Sequence, residues 1–526
     1  MTTTKALSRI APLVGLVAGC STTSYNLPPP QQNVVIPVQN TVPVPKVPVV
    51  VKEAPPESGP AKAYRFPKVT WAELSNGLKV ATIPIKALPL VQIRVVVSGG
   101  KAADGERPGL AALTGDLLEA GGAGPFSSKD LVTRIESLGA NLGIETSFDS
   151  TELSLSVTRD HLADALGLLG TIVREPRFDA AEFGKLKKRA TERTADAART
   201  SGSWGALMVL YRDLFDLPSD HHPYASYDAT PTELGRITAA DCRALHKRLF
   251  VPKNAFVVVA GDTTPEAAKA FAEKAFGAWR GGEAQVISFT DPNPPSGLKI
   301  TIVDRPKSSQ SDIFAAVLGP ERVDKSWASI AVANQILGGG VSSRLFLDVR
   351  EKQSLAYRTR SSLVEVGHGP APLVVYAGTQ TAKTGLALKG VLDNLEAIGQ
   401  TAANAEEIDT ATRYLADVFA IRMETVGAVG SELAHLRVMG LPDDYDDGYR
   451  KELRDITAPL ALKAAGEAIR PGHEIVVVAG DAKIIGPMLS HFGEVKVVDP
   501  THDFARVQTI PMNADAPLEV TREVGK

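Results

Sequence analysis

The sequence predicts an α+β fold: two homologous α/β sandwich halves, each a mixed or antiparallel sheet covered by helices, together forming a clam-like body. Two recurrences carry this reading. The stretch 77–80 (GLKV) returns as 297–300 (GLKI), an offset of 220 residues. The stretch 252–262 (PKNAFVVVAGD) returns as 471–481 (PGHEIVVVAGD), an offset of 219. Periods this long mark duplicated domains, because solenoid repeats run at about 20–50 residues. The third observation is local. Short β-branched runs alternate with helical periodicities, the pattern of strands that pair and helices that cover one face of the resulting sheet.

The elements follow in order. Residues 91–97 (VQIRVVV) read as a strand. Residues 109–119 read as a helix, with Leu110, Leu113, Leu117 and Leu118 on one face. A second helix spans 129–138, opened by Ser127 and Ser128 as candidate caps. Residues 152–157 (ELSLSV) alternate as a strand, 161–173 are helical, 181–198 form a long charged helix, and 257–259 close the half as a buried strand. The run 291–295 (DPNPP) marks a linker. The predicted organisation is a first half over 66–285, a linker over 286–295, a second half over 296–510 and a tail over 511–526.

Composition excludes several classes. With 57 Lys+Arg against 60 Asp+Glu, the net charge is −3, and no basic run suggests nucleic acid. Two cysteines, Cys20 and Cys242, cannot make a disulfide scaffold or a cysteine-based metal cluster. Cys242, in a helical stretch without an implied histidine partner, reads as a small buried hydrophobe.

The N-terminus reads as a targeting segment. Lys5 and Arg9 precede an apolar stretch, 10–19, too short to span a bilayer. It ends in Val17-Ala18-Gly19-Cys20, which resembles a bacterial lipobox. The resemblance implies removal of 1–19 and lipidation at Cys20, hence an anchored protein of the cell envelope facing the periplasm. Ser21 after the cysteine leans toward the outer membrane. Residues 21–60 hold ten prolines, so 20–65 is an extended tether, reaching on the order of 100 Å at about 3.1 Å per residue.

The body resembles the insulinase/pitrilysin family of zinc peptidases, the inverzincins, over roughly 66–500. In that family Gly-Leu-Ala precedes H-x-x-E-H on an early helix, and a glutamate about 76 residues downstream completes the metal site. Here Gly109-Leu110-Ala111 is followed by Ala112 at the first histidine, Gly115 at the general base and Asp116 at the second histidine. The downstream glutamate is matched by Glu192. The expectation is that this chain binds no metal of its own; a weakly held hard cation between Asp116 and Glu192 is the lesser alternative to two solvated carboxylates. No G-x-S-x-G stretch offers another hydrolytic nucleophile.

The second half contains 337–346 (LGGGVSSRLF), then 349–351 (VRE) and 354–357 (SLAY). This resembles the family's second-half signature, in which an arginine and a tyrosine seven residues apart grip the substrate backbone and stabilise charge on its carbonyl oxygen. Arg350 and Tyr357 match. Spacing alone fits equally a surface ion pair at Arg350 and a core ring at Tyr357. The expected geometry is a helix ending near 352–353 and a strand beginning at Leu355. The triple glycine 338–340 lacks the Gly-Lys-Ser/Thr of a phosphate loop, and reads as a tight turn or a place of close backbone approach. The loop His221-His222-Pro223-Tyr224 resembles a structural family loop.

Some members of this family work as pairs, one chain carrying the metal motif and the other the Arg/Tyr pair. The resemblance therefore implies a non-catalytic subunit of a hetero-oligomeric zinc metallopeptidase. Zinc would be held by a homologous partner, and the substrates would be unfolded or short peptides. The alternative is a membrane-anchored peptide-binding or scaffold protein with no peptidase activity.

Overall fold

The computed structural model describes residues 64–217, 221–283, 286–293 and 295–520. The signal segment, Cys20 and the tether up to residue 63 lie outside the described residues, as do 521–526 at the end of the tail.

The first sheet is built from β1 (Thr70–Glu73), β2 (Lys79–Pro84), β3 (Leu90–Ser98), β4 (Leu142–Thr146), β5 (Ser150–Thr158) and β6 (Ala255–Gly261), in the order β1-β2-β6-β3-β5-β4. The second contains β7 (Lys299–Asp304), β8 (Gln310–Glu321), β9 (Ala356–Leu363), β10 (Pro370–Gln380), β11 (Ile475–Gly480), β12 (Val495–Asp499) and β13 (Ala505–Ile510), in the order β13-β12-β7-β11-β8-β10-β9. Both are mixed. β2 runs parallel to β6, and β7 parallel to β11 and β12, while the other pairs are antiparallel. The two recurring sequence stretches form the same parallel pair twice. Val80 lies opposite Val257 in the first sheet, and Ile300 opposite Val476 in the second.

The helices follow from their apolar stripes and caps. The Leu110–Ala120 helix buries Leu110, Leu113, Leu117 and Leu118. The Ser128–Ser137 helix opens with a capping box between Ser127 and Asp130, which satisfies otherwise orphaned N–H groups. Leu162–Arg174 packs its leucines on the same core.

The expectation of one covered face per sheet is corrected. Each sheet is covered on both faces, the second by a helix lent from the other half. The Gly202–Leu214 helix lies on β7, β8 and β11, burying Ala206, Val209 and Leu210 against Val303, Phe314 and Val477. We call this the inner face of the second sheet. Reciprocally, the Val426–Val438 helix lies on β3 and β6, burying Val429, Leu433 and Ala434 against Ala81, Val96 and Val258. A hydroxyl caps each, from Ser201 and Thr425. Each also carries two glycines three residues apart, Gly202/Gly205 and Gly427/Gly430, which bring the backbone close to the sheet: a side chain at Gly205 would press on Val303 at 3.0 Å, and one at Gly430 would touch Ala260 at 3.5 Å. A helix stripe shows that an apolar face exists but not which sheet receives it, which is why the exchange escapes sequence reading.

The loop His221-His222-Pro223-Tyr224 belongs to the same junction. Tyr224 is fully buried, its hydroxyl donates to Asp149 of the first half, and the backbone N–H of His368 in the second half donates to that hydroxyl at 3.2 Å. Among the described residues, no helix is long and apolar enough to cross a membrane.

Candidate functional site

The Leu110–Ala120 helix carries the positions where the resemblance places a metal. Gly109 precedes it with φ +88, a left-handed conformation that favours glycine. The buried Asp104 carboxylate accepts from the N–H groups of Gly109 at 2.8 Å and Ala111 at 2.6 Å, so the start of the helix is fixed even though the ligands are gone. Ala112 is half-buried, Gly115 buried and Asp116 exposed. Glu192 is exposed on the long Ala180–Thr200 helix, with Lys188 at 3.9 Å.

The donor set does not fit zinc. Four-coordinate zinc needs at least three protein ligands, and only Asp116 and Glu192 have donor atoms at the matching positions. Among the described residues, no group of three or more His, Cys, Asp or Glu side chains is placed to hold a metal ion. The electrostatics also oppose a cation. Desolvation raises the Asp116 carboxyl above its ordinary range, and the charges that counter this are Arg193 and Arg189, on the long helix that carries Glu192. Beside them, Gly115 is packed shut: a Cβ there would sit 2.8 Å from Thr146 Oγ1 on β4. Restoring the motif with Ala112→His, Gly115→Glu and Asp116→His is therefore expected to destabilise the fold by about 1–3 kcal/mol through overpacking, without stoichiometric zinc after dialysis. Metal analysis checks this; retention of one zinc per chain would show that the surrounding shell still accepts the metal.

Arg350 and Tyr357 lie in the second half, where the chain turns from helix to sheet edge. Arg350 sits on a π-helix, Phe346–Lys352, an uncommon geometry that recurs at functional sites. Its guanidinium lies over the Phe346 ring at 4.5 Å and meets Glu351 at 3.5 Å; the side chain is 42% exposed. The chain then turns through Ser354, whose φ is +52, and whose carbonyl accepts from Lys383 Nζ at 3.1 Å. β9 begins at Ala356 and forms the outer edge of the second sheet.

A β-bulge aims Tyr357. Arg358 pairs with Gly378 on β10, but Ala356 pairs with Thr379, so Tyr357 is the extra residue. The bulge turns its ring onto Gly378. The Tyr357 hydroxyl is within 3.4 Å of Gln310 Oε1, to which it donates. Beside it, the Tyr376 hydroxyl donates to Asp312 Oδ1 at 2.8 Å. Burial and that carboxylate hold Tyr376 well above the usual tyrosine range, so it stays protonated.

Arg350 and Tyr357 line one open pocket of about 430 Å³, together with Glu351, Ser354, Gln380 and Lys383. The lining residues bring a guanidinium, a hydroxyl and an ammonium to one surface, beside the Glu351 carboxylate. Chemically this can hold a carbonyl oxygen or a carboxylate.

Sequence reading missed Gly378, Gln380 and Lys383. A glycine inside the otherwise β-branched and apolar β10 was the available signal, since such glycines mark bulges or close approaches. A Cβ at Gly378 would lie 2.6 Å from Tyr357 Cζ. Gly378→Ala is expected to swing the exposed Tyr357 ring out of its seat and, because the Cβ also meets the buried Tyr376 hydroxyl at 2.9 Å, to lower the unfolding temperature modestly; if the pocket holds peptide, affinity should fall as far as in Tyr357→Ala. Wild-type affinity in Gly378→Ala, measured by fluorescence anisotropy, would show that the seat is not needed. Gly338 of the triple glycine packs on the Arg360–Ser361 backbone of β9, so the close approach there is to the chain's own strand. Cys242 is fully buried, and burial pushes its thiol up to about 11.

Comparison with known proteins identifies the family. The family profile described as "Insulinase (Peptidase family M16)" matches residues 79–215, and "Peptidase M16 inactive domain" matches 236–415; together they span more than half of the chain. The chain belongs to the insulinase-like M16 family. It is similar to "Non-peptidase homolog YmxG" of Helicobacter pylori, 22% identical over 72% of this chain and 84% of the relative. A second Helicobacter pylori protein, "Zinc protease PqqE", is 21% identical over 77% of this chain and 91% of its own length. Among solved structures, the peptidase M16 inactive domain from Pseudomonas fluorescens superposes with a TM-score of 0.72 and 25% identity, covering 79% of this chain and 98% of that one.

Proposed function

We propose that this chain is the non-catalytic subunit of a hetero-oligomeric zinc metallopeptidase, lipid-anchored through Cys20 in the cell envelope and facing the periplasm. The observation that carries the reading is an asymmetry. The pocket holding Arg350 and Tyr357 is assembled, while the positions for zinc and its general base hold Ala112, Gly115 and Asp116. A homologous zinc-bearing partner supplies the metal and the base. This chain supplies Arg350 to bind and polarise a peptide carbonyl, and Tyr357 as a second donor. Relatives of both kinds support the pairing: Helicobacter pylori has one similar protein described as a non-peptidase homolog and another described as a zinc protease.

The test is purification of the full-length chain from membranes in mild detergent, followed by metal analysis of what accompanies it. Co-purification of a zinc-containing M16 relative supports the proposal. A chain that comes down alone and metal-free favours instead an envelope peptide-binding or scaffold protein.

A further inference from the structure

We propose that the inner face of β9 selects acidic peptides, through Arg358 and Arg360. The inference rests on the reading of the Arg350/Tyr357 pocket as a peptide site, and adds the chemistry of the peptide it prefers.

Pairing fixes which way the two arginines project. Arg358 lies opposite Gly378 and Arg360 opposite Tyr376. Directly opposed residues of an antiparallel pair share a face. Tyr376 and Val374 belong to the cluster packed under the Gly202–Leu214 helix, so Arg358 and Arg360 are on the inner face. The bulge turns Tyr357 to that side as well. Tyr357, Arg358 and Arg360 thus form a row leading away from the pocket that holds Arg350 and Lys383.

The two arginines of this row have no carboxylate paired to them. Arg358 and Arg360 are both exposed. Among the described residues, neither makes an ion pair with a carboxylate within 4.0 Å. Arg360 rests over the Tyr376 ring at 5.9 Å, which orients the guanidinium without neutralising it. Two carboxylates of this junction keep their charge but turn their hydrogen bonds to neutral donors and not to these arginines. Asp312 Oδ1 accepts from Tyr376 at 2.8 Å; Asp228 accepts from Trp204 Nε1 at 2.9 Å and from the Ala229 N–H at 2.8 Å. In the pocket itself, Arg350 and Lys383 stand against Glu351 alone.

Two like charges two residues apart on a strand lie about 6.6 Å from each other and repel. An extended peptide repeats its same-side residues at the same spacing. Carboxylates on alternate residues of a peptide anchored at Arg350 and Tyr357 therefore match both guanidiniums, and Arg offers carboxylates a bidentate fork. Basic peptides meet four positive side chains.

The experiment measures binding of three labelled, unstructured peptides of equal length to the full-length chain in detergent at low salt. One carries Glu at alternate positions, one Gln and one Lys. The Glu peptide is expected to bind about tenfold tighter than the Gln peptide, a preference that fades at high salt. The double variant Arg358→Gln/Arg360→Gln, checked for an unchanged unfolding temperature, is expected to bind Glu and Gln peptides alike. Equal binding of all three peptides to the wild type, or a Glu preference surviving in the double variant, overturns the inference and leaves the pocket reading standing. Failure of every peptide to bind the wild type overturns the pocket reading and this inference with it.

Discussion

In the proposed pairing with a zinc-bearing partner, replacing Arg350 with Ala is expected to lower cleavage by a factor on the order of 100–1,000, the usual loss when one donor to a developing oxyanion is removed. Folding and assembly should change little. The Arg350 side chain is 42% exposed and touches the ring of Phe346 and the carboxylate of Glu351, both on its own π-helix, so its truncation opens no cavity. The loss should fall on kcat more than on KM, because the charge it meets grows toward the transition state. Lys at this position should recover only part of the rate, since a point charge lacks the fixed fork of Arg. Steady-state kinetics of the reconstituted pair, with chelator as a blank, measures this. An unchanged kcat would remove Arg350 from the chemistry in trans.

The second large effect concerns stability. Leu433→Ala is expected to cost about 2–5 kcal/mol. Leu433 is fully buried and belongs to the second half by sequence, yet the cluster it completes covers a face of the first sheet, with Ala81, Ile83, Val96 and Val258. The cavity therefore weakens the half that does not contain the substitution. Because the Gly202–Leu214 helix makes the reciprocal contact, neither half covers both faces of its own sheet. Calorimetry should show one cooperative transition, lowered as a whole in Leu433→Ala. Two transitions, of which only the later-sequence half shifts, would mean that the exchanged helices are not integral. For the same reason, 66–285 and 296–510 expressed separately should each expose an apolar sheet face and aggregate.

Much of this architecture was legible because local chemistry and global fold agree. The run 91–97 is a strand because its β-branched residues pack between layers, as β3 does with Val91, Ile93 and Val95–Val97 all buried. Ser127 caps a helix because its hydroxyl and the Asp130 carboxylate satisfy each other's backbone donors. The duplication was legible because the two matched stretches are neighbours in each sheet. The turn that carries Arg350 and Tyr357 was placed correctly between helix and strand, but the π-helix and the bulge were not foreseen. The bulge depends on pairing with β10, and the π-helix is tied by Asp348 to Asn394 of the Thr384–Gln400 helix, so no local propensity encodes either. The missing metal donors were plain in the letters. The closing of the space behind them, Gly115 against Thr146 with Arg189 and Arg193 nearby, needed the strand and the long helix in place.

The most direct test of the account is a reconstitution of cleavage from separately purified proteins. A quenched-fluorescent peptide is mixed with this chain alone, with a zinc-bearing M16 partner alone, and with both. The account predicts no cleavage by this chain alone, even with added zinc. It predicts a strong gain over the partner alone when the two are combined, abolished by chelator and by Arg350→Ala. Chelator-sensitive cleavage by this chain alone would contradict it, as would a partner whose full activity is indifferent to this chain.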